Sequence, residues 1–146
     1  KNNILLYQKT LQPYIPPNNN LVNIEDKISL NDKIPARATF QFTSDIFWQQ
    51  MSSLESSITA VSKNLIDEDI RPKLLVTMKN SNIRPIENIE AIALLYDENN
   101  NAVAFSRTKI DSIDANSTAD IVFTWPETFT TKVVRIDVVS KVVNNF

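Results

Sequence analysis

The chain reads as an all-β protein, an antiparallel β-sandwich. Apolar residues recur at every second position in several short runs, and no helix longer than a single turn is expected between those runs. β-Branched residues are plentiful within the runs, and prolines fall between them. Such spacing is expected of short strands joined by turns.

The runs can be taken in chain order. Residues 4–8 are expected to form a strand, and residues 36–42 alternate Ala36, Ala38, Phe40 and Phe42 against Arg37, Thr39 and Gln41. In residues 44–56, Phe47, Met51, Leu54 and Ile58 lie at helical spacing, whereas Phe47, Gln49 and Met51 alternate. That stretch reads as a linker with a short strand or one helical turn. A strand is expected over 58–63, followed by a polar connector over 66–73. In 73–79, Leu74, Val76 and Met78 share a face opposite Lys73, Thr77 and Lys79. Residues 89–110 are two apolar runs around the polar segment 97–101, the pattern of a hairpin. In 118–125, Ala119, Ile121, Phe123 and Trp125 oppose Asp120 and Thr124. In 133–139, Val134, Ile136 and Val138 oppose Arg135 and Asp137.

Composition sets the limits. The chain has 146 residues, 42% hydrophobic and 22% charged, enough for a core of ordinary size. A net charge of -2 does not point to nucleic acid or an anionic membrane as partner. No apolar run approaches the roughly 20 residues of a spanning helix, so no membrane insertion by this segment is expected. Cys and His are both absent, which removes the thiol nucleophile, the thiolate metal site and the commonest general base. Without His the usual seryl triad cannot be built.

Gly is absent as well, where an average chain has about 7%. Gly-dependent phosphate loops are therefore excluded. Turns must use Asn, the next residue best suited to left-handed backbone, and Asn clusters at 18–20, 99–101 and 144–145. The lack of Gly also fits a gene in which UGA encodes glycine, read with the standard code and cut at those codons.

A shift of 98 residues brings out an internal repeat. NNILLYQKT (2–10) falls on NNAVAFSRT (100–108), and Ala36, Ala38 and Phe40 fall on Val134, Ile136 and Val138. About 98 residues is the size of an immunoglobulin-like domain. The expected organisation is the C-terminal half of a first Ig-like module over 1–43 and a complete module over 44–146.

The stretch ALLYDENNNAVAFSRTKIDSIDANSTADIVFTW (93–125) resembles the FxLYD domain. The name motif falls on Ala93, Leu94, Leu95, Tyr96 and Asp97, with Ala93 where the family has Phe. A turn, an apolar strand, Thr108 and the descent Ile110-Asp111-x-Ile113-x-x-Asn116 follow, and the likeness runs over 79–139. The resemblance implies a small Ig-like or fibronectin-III-like sandwich of bacterial and archaeal envelope and surface proteins. It also implies tandem copies behind a single upstream membrane anchor. It implies little about activity.

Candidate chemistry is sparse. Asp97, Asn99 and Asn101 alternate like a calcium loop, but Ala102 and Thr108 stand where that loop needs Gly and Glu. A hairpin turn is the simpler reading. The pairs Asp111 with Asp114 and Glu87 with Glu90 read as solvated charge, since acid–base work needs carboxylates facing one another across a cleft. Trp48 and Trp125 could stack on a sugar or base, although Trp125 continues an apolar face and reads as core or rim. Asn116-Ser117-Thr118 matches a glycosylation sequon and reads as a turn into a strand.

No catalytic, cofactor-binding or metal-ligating residue is expected, nor any cofactor. The expected function is a non-catalytic structural or adhesive module of a bacterial surface or membrane-anchored protein. Its partner would be an unknown protein or glycan, and its place extracellular or in the cell envelope behind an upstream anchor. The alternative is a carbohydrate- or protein-binding module accessory to a larger enzyme. A half-module exposes an unpaired edge and half a core. Amides of residues 1–43 are thus expected to exchange faster than those of 74–139 unless they dock on the neighbouring module. Equal protection, read by hydrogen exchange, would count against the half-module organisation.

Overall fold

The computed structural model describes residues 4–11, 22–25, 28–42 and 57–143. Six strands follow one another: β1 Ile58–Ile66, β2 Lys73–Asn80, β3 Ile86–Tyr96, β4 Ala102–Ile113, β5 Thr118–Thr124 and β6 Arg135–Val142. They form two three-stranded antiparallel sheets, β1-β2-β5 and β4-β3-β6. The chain is thus all-β among the described residues, two sheets face to face around one core.

Period-two patterning places that core. Leu74, Val76 and Met78 of β2 are buried, as are Ile89, Ala91, Ala93 and Leu95 of β3. Phe123 and Trp125 close it from the β5 side, with Ile110 and Ile113 from β4. Each fully buried Leu, Ile or Phe contributes roughly 1.5–3 kcal/mol relative to exposure. The inward residues of β3 skip from Ile86 to Ile89, and those of β4 from Ile110 to Ile113. The phase break lies at Asn88, which holds φ 53°.

The glycine-free chain turns on Asn and Asp. Among the described residues the positive-φ positions are Asn31, Asp32, Asp67, Asn88, Asn100 and Asn116. Asp67 serves the β1–β2 connection, Asn100 the β3–β4 hairpin and Asn116 the β4–β5 turn. Short polar side chains tolerate left-handed backbone at lower cost than branched or bulky ones.

Three expectations need correction. Residues 4–8 and 36–42 carry no strand, the second despite its alternation. Alternation marks a surface fit to be a strand, but a ladder needs a partner edge, and neither segment is paired. The last strand begins at Arg135, two residues later than expected, and Val134 is 55% exposed. The chain is there still arriving from the other sheet, and Val134 N–H bonds to the Tyr96 carbonyl just outside the ladder. The remaining strands overlap the expected runs, β1 running on to Ile66, β3 starting three residues before 89 and β4 ending three residues after 110. The linker expected over 44–56 lies outside the described residues.

Asn116→Ala is expected to destabilise by about 1 kcal/mol and Asn116→Gly to stay within about 0.5 kcal/mol of the parent, since only the backbone angle is at stake. Urea unfolding followed by tryptophan fluorescence measures both. Equal losses would mean that the side chain, not φ, matters there.

Candidate functional site

The residues singled out in the sequence have structural partners. Asp97 follows β3 and closes the hairpin turn. Its Oδ1 accepts the N–H groups of Asn99 at 2.9 Å and Asn101 at 2.8 Å, and its Oδ2 accepts the Asn101 side-chain amide at 3.0 Å. These donors, the Asn101 side chain first, hold its carboxyl below the 3.8 of a free aspartate. Asn100 occupies the left-handed position, so the alternation of 97, 99 and 101 builds a turn.

Tyr96 and Asn100 both engage Arg135. The guanidinium lies 3.9 Å from the Tyr96 ring centroid, donates to Asn100 Oδ1 at 2.8 Å and sits 3.4 Å from Asp137. The hairpin is thereby tied to the start of β6. In the Leu95-Tyr96-Asp97 stretch, the first side chain fills the core, the second supports a cation and the third caps a turn.

Trp125 is buried, and its Nε1–H donates to the Phe105 carbonyl on β4 at 2.9 Å. Its ring meets Phe129 edge to face at 5.3 Å. The indole is therefore a link between sheets, with no free face to offer a sugar. Trp48 lies outside the described residues.

The carboxylate pairs do not converge. Glu90 forms a 2.7 Å ion pair with Lys141 on the adjoining strand, while Glu87 is exposed. Asp111 and Asp114 are exposed, and Asp114 contributes its backbone carbonyl to a turn. No group of three or more acidic side chains is gathered among the described residues. Among the described residues no helix is long and apolar enough to cross a membrane.

One polar residue escaped sequence reasoning. Asn80 is fully buried at the end of β2. Its side-chain amide donates to the carbonyls of Arg84, Ile113 and Asp114 at 2.9, 3.0 and 3.1 Å, and its Oδ1 accepts Asn82 N–H at 2.8 Å. It fastens the β2–β3 crossover to the β4–β5 turn. Leaving such buried groups unbonded costs about 1–3 kcal/mol each. The signal was present: Asn80 continues the inward period of Leu74, Val76 and Met78.

Before the sandwich, Glu25 gathers a small cluster. Lys9 approaches its two oxygens at 2.8 and 2.6 Å, and the Tyr7 hydroxyl donates at 3.0 Å. Lys9 foremost, with Tyr7 and Arg107 of β4, holds the Glu25 carboxyl below 4.5 despite some desolvation.

No family model, curated protein or solved structure matches the chain.

A carboxyl held below its unfolded pKa stabilises in full above the unfolded value, and the gain is lost as pH falls through the native one. Stability is thus expected to drop below about pH 4 as Asp97 protonates, with Asp97→Asn flattening that limb. Urea midpoints from pH 2 to 7 measure it. An unchanged limb in Asp97→Asn would assign the acid loss elsewhere.

Proposed function

We propose that the chain is a non-catalytic structural and adhesive module of a bacterial surface or membrane-anchored protein. It is held outside the cell or in the envelope by an upstream anchor. The resemblance of 79–139 to the FxLYD domain supports this reading.

The observation that carries it is where the chain enters and leaves the sandwich. Ser57, just before β1, accepts Ser81 N–H at 2.8 Å, and Val143, just after β6, donates to the Asn88 carbonyl at 2.7 Å. Both lie at the end organised by Asn80. Six antiparallel strands return the chain to its starting end, so the opposite end projects. That end carries 67–72, 97–101 and 125–134. Such a unit is suited to display, its far loops turned toward a partner.

The far end also holds an apolar side chain in water. Ile70 in the β1–β2 connection is 75% exposed, next to the Lys73–Asp67 pair at 3.4 Å. The accessory glycan-binding reading draws less support, because Trp125 is committed to Phe105.

The test is a peptide and glycan array probed with the chain carrying a fluorescent label at its C-terminal end. Binding is expected to fall at least about tenfold with Ile70→Asp at the far end, and to be unchanged with Ile83→Asp at the anchored end. The reverse dependence would sink display by the far end.

A further inference from the structure

Among the described residues the sandwich has an open edge, and the same chain carries a segment of alternating pattern without a sheet. β6 pairs with β3 on one side only. Two cross-sheet bonds fix the phase of the ladder. Trp125 reaches the Phe105 carbonyl, so Phe105 points away from β3; Lys63 reaches the Ile136 carbonyl at 2.6 Å, so Ile136 does likewise. In an antiparallel ladder such groups alternate. On β6 the outward backbone groups therefore belong to Ile136, Val138, Ser140 and Val142.

That flank is also incompletely covered. Ile136, Val138 and Val142 face the core but are only half-buried, whereas Leu74, Ile89 and Leu95 are completely buried. Lys63 guards one end of the edge, a common device against edge-to-edge pairing. Beyond Ile136 no bond among the described residues occupies the edge.

Residues 36–42 have the complementary character. They alternate apolar and polar, yet carry no ladder. Phe40 is 83% exposed and Phe42 73%, their rings edge to face at 5.3 Å on one side of the segment. The preceding turn is of hairpin type, with Asn31 and Asp32 both at positive φ and Lys33 N–H bonded to the Leu30 carbonyl. The segment is thus seven residues long, exposed throughout and unpaired, with a bend at Ala36.

We propose that residues 36–42 of one copy add as a fourth strand to the open β6 edge of a second copy. Ala36, Ala38, Phe40 and Phe42 continue the core face beside Ile136, Val138 and Val142, while Arg37, Thr39 and Gln41 face water. Backbone bonds to Val138, Ser140 and Val142 hold the strand, and the aromatic rings cover the half-buried flank. The donor travels with every acceptor, so reciprocal exchange closes a two-fold dimer. This self-association stands independently of the display role, since the far-end loops take no part in it.

Two variants separate donor from acceptor in the full chain. Phe40→Asp with Phe42→Asp spoils the donor outside the sandwich. Ser140→Pro removes an N–H that points away from β3, leaving the inner ladder intact. By light scattering the parent is expected to shift from monomer to dimer with concentration. The Val138, Ser140 and Val142 amides should exchange at least about tenfold more slowly in the dimer. Each variant should be monomeric alone, and a mixture of the two should form a heterodimer, which also shows that both are folded. Three results would overturn the proposal: a parent monomeric at all concentrations with these amides unprotected, a dimer indifferent to both variants, or protection independent of concentration. The last would mean closure by the chain's own segment, which the fifteen residues of 43–57 could span at up to about 50 Å. Array binding in the monomeric variants tests the display role separately.

Discussion

A chain with no glycine must reverse direction using residues that carry a Cβ, and the architecture depends on how this is done. Asp67, Asn88, Asn100 and Asn116 accept left-handed backbone in the sandwich. Short polar side chains also bond to nearby backbone, so the residue that tolerates the angle helps to close the turn. Asp97 shows the combined effect, with three donors from its own loop on one carboxylate. Once the turns are set, period-two alternation directs Leu74, Val76 and Met78 toward Ile89, Ala91 and Leu95, and burial does the rest.

Two cross-sheet hydrogen bonds hold the flanks. Trp125 reaches from the end of β5 to β4, and Lys63 from β1 to β6. Both donate to carbonyls at the outer edge of the facing sheet. They differ in consequence. The first is a buried aromatic anchor that seals its side; the second is a solvated cation over one carbonyl, and leaves most of its edge unpaired. At the entry end Asn80 joins crossover and turn with one side chain. Polar groups here maintain a scaffold.

Much of this was legible. The inward faces of β2 and β5, the β3–β4 hairpin and the use of Asn at turns follow from residue order, because alternation and left-handed tolerance are local properties. Asp97 as a turn residue was legible too, since Ala102 and Thr108 cannot complete a calcium loop. Asn80 was missed because a single polar residue on an apolar face says nothing by itself about which carbonyls will meet it. Trp125 was read as core or rim, and its bond to Phe105 depends on a residue twenty positions away.

The sequence by itself determined that strands would form, which faces would be apolar and where the chain could turn, because each depends on neighbours a few residues apart. Only the tertiary structure decided which strands share a sheet, that the chain enters and leaves the sandwich at one end, and that among the described residues the segment 36–42 lacks a ladder while β6 keeps an open edge. Strand pairing is a contract between distant segments, and one segment's alternation cannot specify whether a partner edge is there to receive it.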